Sequence, residues 1–136
     1  MVEINITYEG GLRCKAVHGP SGTIIVTDAP VDNHGKGESF SPTDLCAASL
    51  GVCMMTVMGI ASTDRKINMS GTACRIEKHM STDTPRRIIK ITADFVFPAG
   101  IPIDKRELLR ATAEHCPVAK SLNPDIDVNV KFNFPD

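Results

Sequence analysis

Residues 41–64 read SPTDLCAASLGVCMMTVMGIASTD, and the fold follows from how that stretch has to be covered. Ser41 is placed as an N-cap, Pro42 fits the first helical position, and Asp44 three residues after the cap completes a capping-box pattern. Residues 45–63 carry no charged side chain. Cys46, Leu50, Cys53, Val57 and Ile60 make one apolar stripe at helical spacing, while Met54, Met55 and Met58 cover other faces. A helix that is apolar all round has to be buried on every side. Ala47, Gly51, Met55 and Gly59 add an i, i+4 ridge of mostly small residues, along which another backbone can approach closely.

At 136 residues the chain is read as a single domain over residues 1–136, able to bury roughly two-thirds of its unfolded surface. A domain this small struggles to cover the central helix alone, so a partner subunit is expected, most simply a second copy in a homodimer. The helix is near transmembrane length, but Ser49, Gly51, Thr56 and Gly59 interrupt it and its surroundings alternate like a soluble sheet, so no membrane span is expected. A net charge of −1, one Tyr and no Trp give neither the electrostatic nor the stacking basis for nucleic-acid binding. The strand-like start MVEINITYEG points to no signal peptide, and the cysteines are expected as reduced thiols in a cytoplasmic protein. With no CxxC and four scattered His, no metal or other cofactor is called for. Cys46 and Cys53 cannot pair within one helix, where seven residues separate their Cα atoms by about 10.5 Å.

On the N-terminal side, Val2, Ile4, Ile6 and Tyr8 alternate as a strand, Gly10-Gly11 turns into a second over residues 12–18, and a turn at residues 19–22 leads to a third over residues 23–27. The stretch DAPVDNHGKGESF, residues 28–40, is a long, polar, Gly-rich loop, of a length often tied to function but equally readable as a flexible crossover. Beyond the helix, residues 67–80 and 86–97 read as two strands. Residues 104–115 read as a helix with its own capping box (Asp104, Glu107), Cys116-Pro117 restarts a short helix to Leu122, and residues 126–134 alternate as a last strand. The order is βββ-α-ββ-α-α-β, an α+β chain.

Two cysteines have chemistry within reach. Cys53 lies mid-helix among apolar residues, which by itself raises a thiol pKa; as a small buried hydrophobe it needs no further role. Cys116 precedes a proline at a helix start, where free N–H groups and the helix dipole favour a thiolate; it also serves as a plain cap. A buried thiol becomes a nucleophile only beside a positive charge. Arg13 could supply it, although a solvated strand arginine is the simpler reading. A buried Arg13 needs a carboxylate, for which Glu38 and Asp44 are the candidates, Asp44 being already explained by the cap.

At these residues the chain resembles a known family. SPTDLCAASLGVCMM is similar to the helix signature of the OsmC/Ohr proteins (osmotically inducible and organic-hydroperoxide-resistance proteins), and HCPVAKSLN is similar to their second cysteine motif. The cysteine separation, the preceding meander and the final strand also match, so the resemblance spans essentially the whole chain. It implies an OsmC-like fold: an intertwined homodimer around long central helices wrapped by strands of both subunits. It implies a thiol-dependent peroxidase acting on organic hydroperoxides and hydrogen peroxide, with an external dithiol as reductant. Cys53 then matches the peroxidatic cysteine, Cys116 the resolving one and Arg13 the active-site arginine. One position departs: hydroperoxide-resistance members carry Glu directly after the helix-starting proline, where this chain has Thr43, so Asp44 or Glu38 would orient Arg13 instead. Two alternatives remain. One is a sulfur carrier with a Cys116 persulfide; the other is a non-catalytic dimer that binds a small apolar molecule.

Overall fold

The computed structural model describes residues 1–136, which fall into two compact units, residues 1–46 and residues 47–136. In the first unit the alternating stretches form an antiparallel meander: β1 (Ile4–Gly10), β2 (Arg13–His18) and β3 (Ile24–Asp28), in the order β1-β2-β3. Register aligns Ile6 with Ala16 and Ala16 with Ile25, and Tyr8 with Cys14. Paired residues share a face, so Ile4, Ile6, Tyr8 and Ile25 line one apolar side of the sheet, and all four are exposed on the single chain.

The loop at residues 28–40 is more ordered than its polar composition suggested. It holds a short 3₁₀ turn (Val31–Asn33) and folds onto its own backbone, with Gly35 N–H donating to Pro30 O at 3.0 Å and Gly37 N–H to Ala29 O at 3.3 Å. A Cβ on residue 35 would fall 1.7 Å from Ala29 O, so only glycine fits.

The long helix α1 (Pro42–Thr63) starts where the capping pattern placed it. Asp44 N–H donates to Ser41 Oγ at 3.1 Å and Ser41 N–H donates to Asp44 Oδ2 at 2.9 Å, a reciprocal capping box. Losing such a cap costs about 1 kcal/mol.

The second unit is built on β4 (Ala73–Met80), β5 (Ile88–Val96) and β6 (Asp127–Asn133), with α2 (Ile103–Glu114) and α3 (Pro117–Ser121) in the crossover between β5 and β6. β4 and β5 are antiparallel, while β5 and β6 are parallel as a helical crossover requires. Inward-facing Ile91, Ala93 and Phe95 of β5 meet Leu50, Met54 and Met58 of α1 and Leu109 and Ala113 of α2 in one buried cluster. Phe95 stacks on Phe132 at 5.5 Å and Phe97 on Phe134 at 4.3 Å.

Two sequence expectations change. β4 begins at Ala73 rather than residue 67, because residues 69–72 form a turn: Thr72 N–H donates to Met69 O at 2.9 Å, and Gly71 takes φ +90°. α2 begins one residue early, capped from Pro102 without a side-chain bond. Asp104 therefore lies in the first turn instead of capping it, where its charge still complements the helix dipole. On the single chain α1 buries one face: Ala47, Leu50, Gly51, Met54, Met58 and Ser62. Val52 and Ile60 remain 66% and 68% exposed.

Candidate functional site

In the second unit the two motif cysteines come together. Cys53 is half-buried near the middle of α1 and packs against the core cluster. Cys116 is the N-cap of α3, with Pro117 next to it in the first turn, and its Sγ accepts the Ala119 N–H at 3.3 Å. The Cys53 thiol lies near enough to Cys116 to disfavour its ionisation.

Their electrostatics reverse one expectation. Sequence placed Cys116 at a helix start and so favoured its thiolate. Cys116 is in fact 0% exposed, and burial pushes its thiol above the ordinary value. The Ala119 N–H opposes that shift and the contact with Cys53 adds to it. Desolvation outweighs the helix start because α3 is a five-residue helix, with little dipole to offer. Cys74, on β4, is pushed up to about 11, mainly by burial and then by the charge of Asp94, which leaves it an inert thiol.

The candidate cation and its carboxylates belong to the first unit. Arg13 opens β2 directly after a turn in which Gly10, Gly11 and Leu12 all take positive φ. Leu12, at φ +64°, does so at a cost of about 1 kcal/mol. Arg13 Nη2 forms a close hydrogen-bonded ion pair with Glu38 Oε2 and lies 3.5 Å from Asp28 Oδ2. The Glu38 hydrogen bond and charge raise the Arg13 pKa further, so it is a permanent cation.

Of the two carboxylates expected for Arg13, Glu38 therefore holds it, and Asp44 is engaged in the capping box with Ser41. Thr43, where hydroperoxide-resistance members place Glu, sets its hydroxyl 3.2 Å from Ser41 Oγ. Asp28 was missed, although its signal was present in the sequence. The turn at residues 19–22 fixes Val17 opposite Ile24, and counting outward from that pair brings Asp28 opposite Arg13.

A third feature of the second unit is an apolar groove of about 490 Å³ between α1 and β4, lined by Gly51, Val52, Met55, Cys74 and Ile76 among others. Gly51 lies in its lining, where a Cβ would come within 2.9 Å of Ile76 Cδ1, the movable end of that side chain. No group of three or more His, Cys, Asp or Glu is placed to hold a metal ion.

Comparison with known proteins places these features in context. The sequence profile of the OsmC-like protein family matches residues 35–131, a span that takes in both cysteines. Among solved structures, a candidate osmotic stress induced and detoxification response protein from Psychrobacter arcticus is 44% identical over 97% of this chain and 96% of its own, with a TM-score of 0.91. An organic hydroperoxide resistance protein OsmC from Legionella pneumophila shares the fold at 17% identity, TM-score 0.76, over 98% and 96% of the two chains. Another organic hydroperoxide resistance protein, from Elizabethkingia anophelis, does so at 16% identity, TM-score 0.77, over 99% and 96%. No curated protein matches the chain.

Proposed function

This chain belongs to the OsmC-like protein family, and from that premise we propose that it is a thiol-dependent peroxidase that reduces organic hydroperoxides and hydrogen peroxide. The observation that carries the proposal is the contact between the Cys53 and Cys116 thiols. In the first step the Cys53 thiolate attacks the distal oxygen of the peroxide. An S–O bond forms and the O–O bond breaks. Sulfur is oxidised to a sulfenic acid, and the leaving alkoxide or hydroxide takes a proton to become alcohol or water. The family resemblance assigns the positive charge for this step to Arg13, which is ion-paired with Glu38. In the second step Cys116 attacks the sulfenic sulfur, forming a disulfide and releasing water. An external dithiol then reduces the disulfide by two exchange steps and is itself oxidised.

The coupling between the thiols gives this sequence an order. While Cys53 is a thiolate, its charge disfavours ionisation of Cys116, and burial holds Cys116 protonated as well. Once Cys53 is a neutral sulfenic acid that repulsion is gone, and Cys116 ionises more easily. Cys116 is thereby kept from reacting first. The same burial counts against a sulfur carrier built on Cys116, which would need a thiolate open to a sulfur donor.

With excess dithiol and cumene hydroperoxide, the protein should consume many equivalents of peroxide per chain. Consumption no faster than by dithiol alone would overturn the peroxidase reading and leave the binding alternative, for which the groove along α1 would be the site.

The proposal includes a homodimer. α1 carries no charge over residues 45–63 yet leaves Val52 and Ile60 exposed on a single chain, beside the apolar groove. Fully burying two such side chains stabilises an interface by about 1.5–3 kcal/mol each. Sedimentation at micromolar concentration should give a dimer; a stable monomer would contradict it.

A further inference from the structure

Beneath the Arg13–Glu38 pair lies a carboxylate that the peroxidase steps do not use. Asp28 ends β3 and is paired with Arg13 across the β2–β3 ladder. It is 1% exposed. Its Oδ2 has two partners: it accepts the Glu38 backbone N–H at 3.1 Å and faces Arg13 Nη2 at 3.5 Å. The Asp28 backbone N–H in turn donates to Phe40 O at 3.1 Å, so this one residue ties down the returning end of the loop.

A buried carboxylate is retained as an anion only when its partners outweigh its desolvation. Here they do. The Glu38 N–H contributes most, and the Arg13 charge and the N–H groups of Ala29 and Lys36 add to it, so the carboxyl sits below its ordinary range in spite of burial. Glu38 is the opposite kind of partner. Its side chain is 55% exposed, and ion pairs of that kind are weak and exchangeable. Arg13 thus has one fixed carboxylate and one that can let go.

We propose that Asp28 is the positioning residue of the Arg13 cluster: its single buried oxygen sets both the guanidinium and the Glu38 end of the loop, so that Arg13 keeps its place when Glu38 exchanges away. The proposal rests on the reading of Arg13 as the cation of peroxide reduction. Its structural core can nevertheless be tested without any activity.

Asp28→Asn keeps an acceptor oxygen for the Glu38 N–H but removes the buried negative charge facing Arg13, whereas Glu38→Gln removes only the charge of the exposed partner. The primary readout is solvent exchange of the Arg13 guanidinium N–H protons by nitrogen-15 NMR, assigned from their loss in Arg13→Lys. Exchange of the Glu38 amide is followed alongside it. In Asp28→Asn, Arg13 exchange should accelerate at least about tenfold, because the charge of its buried ion-pair partner at 3.5 Å is lost, while the Glu38 amide stays protected. Glu38→Gln should leave Arg13 exchange within about threefold of wild type, as expected for loss of a surface ion pair. For cumene hydroperoxide, kcat/KM should fall by about 10–100-fold in Asp28→Asn, less than for losing the cation itself.

Arg13 exchange unchanged in Asp28→Asn overturns the proposal. So does Arg13 freed as fully by Glu38→Gln, a surface change that decides the question even if Asp28→Asn does not fold. Faster Arg13 exchange in a protein that turns over no peroxide would uphold the positioning role and refute the peroxidase reading instead.

Discussion

Cys53→Ser ends peroxide turnover, and Cys116→Ser does not end the first turnover: this pair of results is the largest effect expected of any substitution in the chain. The first step breaks the O–O bond at a sulfur, and serine offers no comparable nucleophile at that place on α1. None of the other cysteines can take over. Cys116 is buried, with its thiol pushed up, and Cys74 is pushed up to about 11. Cys14 and Cys46 belong to the first unit. Cys116→Ser should instead consume about one equivalent of peroxide per chain, since that step needs only Cys53. It should then stall with a sulfenic acid that dimedone traps, and excess peroxide should drive it on to the sulfinic acid. If Cys116→Ser loses the first equivalent while Cys53→Ser keeps it, the roles are reversed and the sulfur-carrier reading gains.

Arg13→Ala should slow peroxide consumption by about 10²–10³, the effect of removing one preorganised charge from a reacting site. The fold should survive, because Arg13 is partly exposed and its ion pair with Glu38 is a surface one. The substitution also leaves Asp28 as a buried carboxylate without its cation, though still bonded to the Glu38 N–H. A modest loss of stability is therefore expected together with the rate effect. A second-order rate constant for peroxide equal to that of the wild type would return Arg13 to an ordinary strand arginine.

The parts of this fold that were legible in the sequence were those set by local chemistry. Ser41, Pro42 and Asp44 announced the start of α1, and the reciprocal bonds of the cap are there. Period-two alternation located the meander, β5 and β6 to within a few residues. Cys-Pro at residues 116–117 announced α3. What escaped was set by contacts distant in sequence or by competing local options. β4 lost its first six expected residues to a glycine turn that alternation alone could not detect. The Cys116 thiol was misjudged because a helix start is visible in sequence and burial is not. Arg13 was singled out without Asp28, because a carboxylate at a strand end reads as loop until the register of β2 and β3 is counted. The exposed face of α1 is a further case: hydrophobicity alone shows that a surface needs covering, and Val52 and Ile60 show which part of it the chain leaves bare.

The contact between Cys53 and Cys116 is tested most directly by intact mass spectrometry of the reduced wild-type protein before and after one equivalent of cumene hydroperoxide, with peptide mapping of the product. The expected result is a chain lighter by two hydrogens per subunit, with a single disulfide joining Cys53 to Cys116. An unchanged mass with peroxide remaining, or a product in which Cys53 is still a free thiol, would contradict it.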